Sequence, residues 1–320
     1  MAWPFSGGLV SQLLARCIKY DLPPDHEVKQ LLGQAASHFA NLPSLVEANV
    51  PAGATLHVIG DIHGQFEELI SVLRICGPPA AGRNILLFNG DFVDRGHRSA
   101  EVMLVICALA LEAKDAVFLN RGNHETRAMN RAYGFEEEAI LKYSKSVYES
   151  FQAVFVQLPL ATLVNQSVLV VHGGLPAADG VKLSDIAAVQ RGGDLLVGVA
   201  HDLLWADPTD VDGLHPSPRG GGIRLFGPDV TARFCDDNDL LCCIRSHEVA
   251  MGGYAWQRGG RCVTVFSAAN YVGRVGNLGA VCHIRPPSGG RIKPGDLSFT
   301  TFEGHAELRP SWPPAPRSRL

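Results

Sequence analysis

The sequence predicts an α/β fold in which two packed mixed β-sheets are flanked by helices. Three observations lead there. Short apolar runs recur along the first half of the chain, each ending at once in a polar, glycine-rich turn. Helical periodicities separate several of these runs, the alternation expected of βαβ units. Two further β-type runs, Val263-Thr264-Val265-Phe266 and Ala280-Val281-Cys282-His283-Ile284, follow in the second half and point to a second sheet.

In chain order, residues 1–27 are expected to form an N-terminal segment around an amphipathic helix with Val10, Leu13 and Leu14 facing inward. Residues 26–48 read as helix, with Val28, Leu31, Leu32 and Ala35 on one face. The run Leu56-His57-Val58-Ile59 leads into Gly60-Asp61-Ile62-His63-Gly64, and His57 within it reads as a packing residue. Phe66, Leu69, Ile70 and Leu73 recur at helical spacing. Next, Ile85-Leu86-Leu87-Phe88 leads into Gly90-Asp91-Phe92-Val93-Asp94-Arg95-Gly96, and residues 99–113 read as helix. Val117-Phe118-Leu119 leads into Arg121-Gly122-Asn123-His124-Glu125, followed by a helix over 136–157 whose opening Glu136-Glu137-Glu138 suits a helix N-terminus. Val168-Leu169-Val170-Val171 then leads into His172-Gly173-Gly174-Leu175. A catalytic domain is expected over 28–305, and a proline-rich tail over 306–320 that cannot bury a core.

Composition bounds the function. With 46% hydrophobic residues and 19% charged, the chain reads as a soluble globular enzyme. A net charge of −4 speaks against a nucleic-acid partner. No apolar run approaches the roughly 18 residues that span a bilayer, so no membrane association is expected. The eight cysteines include no C-x-x-C pair and sit in apolar stretches, as small buried hydrophobes in a reducing compartment do. The sequence ends Ser318-Arg319-Leu320, a variant of the peroxisomal Ser-Lys-Leu address, so a peroxisomal location stands beside a cytoplasmic one.

The turns carry the chemistry. Asp61, His63, Asp91, Asn123, His172 and His247 fall at or just past strand ends, where open α/β sheets bind their ligands. Any one of them alone would read as a turn or capping residue. Together they place carboxylate, imidazole and amide donors in one topological position, a set that suits manganese, iron or zinc. A shared aspartate could bridge two ions about 3.5–4 Å apart and so activate water for attack on phosphorus. The interspersed glycines would let the chain approach such a cluster closely.

These turns resemble the signature blocks of the phosphoprotein phosphatase (PPP) family, within the calcineurin-like metallophosphoesterases. Further blocks agree: His172-Gly173-Gly174, Asp202-Leu203-Leu204-Trp205-Ala206-Asp207-Pro208, Arg245-Ser246-His247-Glu248 and Ser267-Ala268-Ala269-Asn270-Tyr271. Tyr133-Gly134-Phe135 and Phe226-Gly227-Pro228-Asp229-Val230 resemble the type 5 and EF-hand branches, whose repeats and EF-hands are absent here. The resemblance implies a serine/threonine phosphatase acting on phosphoproteins, with a separate regulatory subunit as a possible partner. It implies that Asp61, His63 and Asp91 hold one metal and that Asp91, Asn123, His172 and His247 hold the other. Arg95 and Arg245 would clamp phosphate oxygens, Asn123 would also face substrate, and Tyr271 would close the pocket. His124 would protonate the leaving oxygen, oriented by Asp94. His97, beside the Arg95-Gly96 turn, is a further candidate for touching substrate. Two other functions compete: hydrolysis of a dinucleotide polyphosphate, which needs only the first three blocks, and a catalytically silent binding module.

The sequence also departs from the family pattern. Ala269 and Val272 stand where relatives carry proline and cysteine, so covalent capture by cyclic-peptide toxins that use that thiol is expected to fail. Gly273-Arg274-Val275-Gly276-Asn277 stands where relatives often carry acidic residues, which predicts tolerance for acidic residues around the phosphosite.

Overall fold

A computed structural model describes residues 7–288 and 290–305. The proline-rich tail over 306–320, including Ser318-Arg319-Leu320, lies outside the described residues. Ten helices and fourteen strands are described. The helices are α1 (Gly8–Ile18), α2 (Asp25–Ala40), α3 (Phe66–Cys76), α4 (Ser99–Glu112), α5 (Arg127–Tyr133), α6 (Phe135–Lys142), α7 (Lys145–Phe155), α8 (Leu183–Ala187), α9 (Val199–Trp205) and α10 (Pro228–Asp237). The strands of the first half are β1 (Leu45–Ala48), β2 (Thr55–Ile59), β3 (Asn84–Asn89), β4 (Val117–Asn120), β5 (Ala161–Val164) and β6 (Val168–Val171). Those of the second half are β7 (Asp207–Pro208), β8 (Leu214–Pro216), β9 (Arg224–Phe226), β10 (Cys242–Arg245), β11 (Tyr254–Trp256), β12 (Cys262–Val265), β13 (Gly279–Ile284) and β14 (Leu297–Phe302).

One sheet runs β1-β5-β6-β10-β12-β11 and the other β14-β13-β2-β3-β4, both mixed. They bury a common layer in which Leu56, Val58, Ile85 and Leu87 meet Val168, Val170, Ile244 and Val263. The strands β2, β3, β6 and β10 are short and buried on both faces, which is why they read as continuous apolar runs without alternation. The outer face of the five-stranded sheet is covered by α1–α4, α6 and α7, whose apolar stripes share one core with Leu86 and Phe88. Helix α4 is apolar on all sides, and it is buried from Ser99 to Ala110. Helices α8–α10 cover the other sheet. A small third sheet, β7-β9-β8, was not anticipated from the sequence; its strands are only two or three residues long and show no periodicity.

Two helical expectations need correction. Residues 26–48 hold a helix only as far as Ala40, because β1 pairs in parallel with β5 and Pro43 separates the two elements. The expected helix over 136–157 is broken at Tyr143-Ser144, where the Ser144 hydroxyl accepts from Val147 N and starts α7 afresh. Glu138 has a definite job at that point. Its carboxylate accepts from Ser99 N and Ala100 N, capping α4, and pairs with Lys142. Among the described residues no helix is long and apolar enough to cross a membrane.

Candidate metal centre and active site

The carboxyl ends of β2, β3, β4, β6 and β10 converge on one point. There the two sheets are also joined by a parallel bridge between Asp61 and Phe266. Asp91 lies at the centre, almost fully buried. Its Oδ1 is 3.2 Å from His172 Nε2, and its Oδ2 is 3.5 Å from His63 Nε2 and 4.0 Å from His124 Nε2. Asp61 Oδ2 is 3.5 Å from the same His63 nitrogen. On the other side, His172 Nε2 lies 3.2 Å from His247 Nδ1 and 3.0 Å from the Asn123 side-chain oxygen. Carbonyl groups orient the rings: His63 Nδ1–H donates to Val93 O and His172 Nδ1–H to Asn89 O, leaving each Nε2 aimed inward.

Such convergence of ligand atoms calls for positive charge at the centre. Asp61 Oδ2 is buried with no hydrogen-bond partner among the described residues. The Asn123 amide oxygen faces only acceptors. His63, Asp91 and His124 form one group whose ligand atoms lie within 4.8 Å of each other, and Asp91, His172 and His247 form a second. Burial disfavours the His63 cation, yet Asp61 and Asp91 outweigh it and hold the imidazole at about 9. The donor set therefore fits two divalent ions sharing Asp91.

Backbone geometry at these positions is strained. His63, Asp91, Asp94, Arg95, His247, Asn270 and Val272 all have left-handed φ, between 42° and 73°. Glycine supplies the clearance: a Cβ on Gly122 would lie 2.3 Å from Asp91 Oδ1, and one on Gly90 2.7 Å from His172 Nδ1. Glu125 holds the Asp91 turn from behind. Its buried carboxylate accepts from the backbone N–H of Asp91, Phe92 and Gly122 at 2.8–2.9 Å. Burial, reinforced by the Asp91 charge, pushes that carboxyl up to about 7.

Beside this cluster, His124 Nδ1 donates to Asp94 Oδ2 at 2.7 Å. Asp94 is fixed by Phe135 N and by Asn130 Nδ2, which also donates to His124 O, and Gln152 Nε2 donates to Asn130 Oδ1. Arg95 is exposed at the rim with its guanidinium 3.7 Å above the Tyr133 ring. Tyr133 also flanks His124, and the Tyr271 ring lies 5.2 Å from His63. His97 is exposed next to Arg95, and its carbonyl is taken by Lys142.

Arg245 is not placed as expected. It is fully buried, donating to Gly173 O, Ala206 O, Asp207 Oδ1 and Glu248 Oε2, so it has no free edge for a ligand. Asp207 Oδ2 in turn accepts from Arg219 Nε at 2.6 Å, and 34% of the Arg219 side chain is exposed. Burial works against the Arg219 charge, but Asp207 outweighs it, and the field of Asp91 reaches it as well. Sequence reasoning missed Arg219, Asn130, Gln152 and Tyr133. Tyr133 carried a signal in the Tyr133-Gly134-Phe135 block, and Arg219 one as a lone arginine before Gly220-Gly221-Gly222 in a stretch without apolar periodicity.

Residues 54–251 match the calcineurin-like phosphoesterase family. The chain is a calcineurin-like phosphoesterase. This phosphoesterase is 43% identical to serine/threonine-protein phosphatase 5 of Arabidopsis thaliana, over 88% of its own length and 51% of the relative's. It is 44% identical to serine/threonine-protein phosphatase T of Schizosaccharomyces pombe, over 84% of its own length and 56% of the relative's. The chain thus spans about half the length of the curated relatives it matches. Among solved structures, a Saccharomyces cerevisiae protein serine/threonine phosphatase with similarity to human phosphatase PP5 superposes with a TM-score of 0.86 at 39% identity. That match covers 92% of this phosphoesterase and 96% of the other chain.

Proposed function

We propose that the phosphoesterase is a protein serine/threonine phosphatase that hydrolyses phosphoserine and phosphothreonine esters. The observation that carries this reading is the His124–Asp94 pair, with His124 Nε2 only 4.0 Å from the bridging carboxylate candidate Asp91. Asp61, His63 and Asp91 would hold one ion, and Asp91, Asn123, His172 and His247 a second, with manganese, iron or zinc suited to the set. When bound, the pair of ions acidifies water and offsets phosphate charge.

The chain's own groups supply the rest. Because His124 Nδ1–H is held by Asp94, the proton to be delivered is carried on Nε2, the atom facing the site, when the ring is the imidazolium. Nε2–H can then protonate a departing serine or threonine oxygen, while the Asp94 carboxylate stabilises the imidazolium. Arg95 and Arg219 keep part of their guanidinium exposed and suit contact with phosphate oxygens. Arg245 acts indirectly, fixing Asp207 and through it Arg219. Tyr271 walls the opposite side. The exposed Arg274, one turn beyond it, favours phosphosites with acidic neighbours. Partners would be phosphoproteins and, as an open addition, a separate regulatory subunit.

The test is turnover by metal-stripped protein given back manganese, on phosphoserine and phosphothreonine peptides beside a dinucleotide polyphosphate, with His124→Asn as control. Metal-dependent peptide hydrolysis, lost in the variant, is expected. Hydrolysis of the nucleotide alone would overturn the reading. Unchanged preference between acidic and basic peptides in Arg274→Glu would remove the role given to that residue.

A further inference from the structure

Three thiols gather beneath α10, far from any disulfide-like motif in the sequence. Cys235, in the last turn of that helix, and Cys243, on β10, have their Sγ atoms 3.9 Å apart. Cys262 faces Cys243 across the β10–β12 register. All are buried and none is bonded. We propose that Cys235 and Cys243 form a peroxide-sensitive dithiol, an oxidative modification site that closes to a reversible disulfide.

The two sulfurs are not equivalent. The Cys243 S–H can donate to Cys235, which favours the Cys235 thiolate despite burial, and the Arg261 guanidinium adds to the effect. The same contact, with burial, pushes the Cys243 thiol upward. Cys235 is thus the nucleophile and Cys243 the resolving thiol. The Cys235 thiolate attacks one oxygen of hydrogen peroxide, breaking the O–O bond to give a sulfenic acid and hydroxide. Cys243 sulfur then attacks the sulfenic sulfur. The S–S bond forms, the S–O bond breaks, and the Cys243 proton leaves with the oxygen as water. Overall, two thiols are oxidised and one peroxide is reduced to two waters.

Position gives the pair a route to solvent. Helix α10 ends at Asp237, its flanking Asp236 and Asp237 are exposed, and Asp239 turns the chain back with φ 53°. A terminal turn opens at low cost, so a small oxidant can reach Cys235 without global unfolding. Cys107 is the contrast. Burial alone pushes its thiol up to about 12, within the fully buried stretch of α4.

The test exposes the reduced, metal-loaded full chain to hydrogen peroxide, blocks the remaining thiols with iodoacetamide, and reads intact mass and peptide maps. The expected result is loss of two hydrogens and of two alkylation sites. A Cys235–Cys243 cross-linked peptide should appear, and dithiothreitol should restore both sites. Cys235→Ser and Cys243→Ser should each abolish the cross-link, whereas Cys107→Ser should leave it. The wild-type map decides the matter even if a core variant folds poorly. A Cys243–Cys262 cross-link, direct conversion of Cys235 to irreversible acids, or eight alkylatable thiols after treatment would each overturn the proposal.

Discussion

His124 and Asp94 are joined by a 2.7 Å hydrogen bond, and the aspartate is held by two further donors from Asn130 and Phe135. This network makes the imidazole geometry a property of the helices α5–α7, not of the loop alone. Asp94→Asn should keep the fold but lower kcat by about 10²–10⁴-fold, the scale of a misassigned general acid, with little change in KM. Asn130→Ala should fall in the same direction by less. Steady-state kinetics on a phosphothreonine peptide checks both.

Arg245 and Arg219 share Asp207 but should behave differently. Arg245→Ala removes a fully buried guanidinium with its bonds to Gly173 O, Ala206 O and Glu248, leaves Asp207 with Arg219 alone, and should cost about 3–5 kcal/mol of stability. Arg219→Ala leaves Asp207 paired with Arg245, so the fold should hold while KM for phosphopeptide rises. Urea unfolding beside kinetics separates the two. Equal loss of stability in both would refute the division of labour.

Metal binding should expel a proton. His63 stands at about 9 without a cation, so near pH 7.5 it is protonated, while a ligand must be neutral. Titrating manganese into stripped protein by calorimetry, in buffers of different ionisation enthalpy, should show proton release near pH 7.5. The release should fade as pH rises past about 9.

His57 and His283 meet at 2.7 Å between their Nδ1 atoms, across paired strands β2 and β13. His57 Nε2–H donates to Asn84 Oδ1, so His57 Nδ1 is the acceptor and His283 Nδ1–H the donor. Both rings are therefore neutral. Burial, then the facing His57, brings His283 down to about 4. A folded pKa below the unfolded value gives stability that is complete above about 6.5 and declines as pH falls towards 4. On the metal-free protein, the drop in urea midpoint from pH 7 to pH 4.5 should be smaller in His283→Asn than in wild type. An equal drop would assign the acid sensitivity elsewhere.

Val272, a β-branched residue, sits at φ 51° beside Tyr271. Val272→Gly should relieve that strain, offset partly by the added freedom of the unfolded chain, for a net gain of about 1 kcal/mol. Thermal unfolding measures it.

The fold and the centre of the site were legible for one reason. Asp61, Asp91, Asn123, His172 and His247 lie next to short apolar strands, so residue type and strand end coincide in the sequence. Arg245 has the same sequence context, yet its guanidinium turns inward to Asp207 and Glu248, which only the meeting of β10 with α9 and β7 decides. Arg219 is the converse case, a residue outside any periodic element that reaches the site by tertiary approach. The break at Ser144 was hidden because apolar spacing continues through it; only the cap marks it.

The pairing of β2 with β13 has a consequence for biosynthesis. Asp61 follows a strand whose neighbour on one side is β3 and on the other is β13, separated from it by most of the chain. The five-stranded sheet therefore cannot close until β13 and β14 have been made, and such long-range pairing is slow. Loading of the ions is then a late event, and a ribosome-bound chain that has made Asp61, Asp91 and His124 still lacks a finished centre.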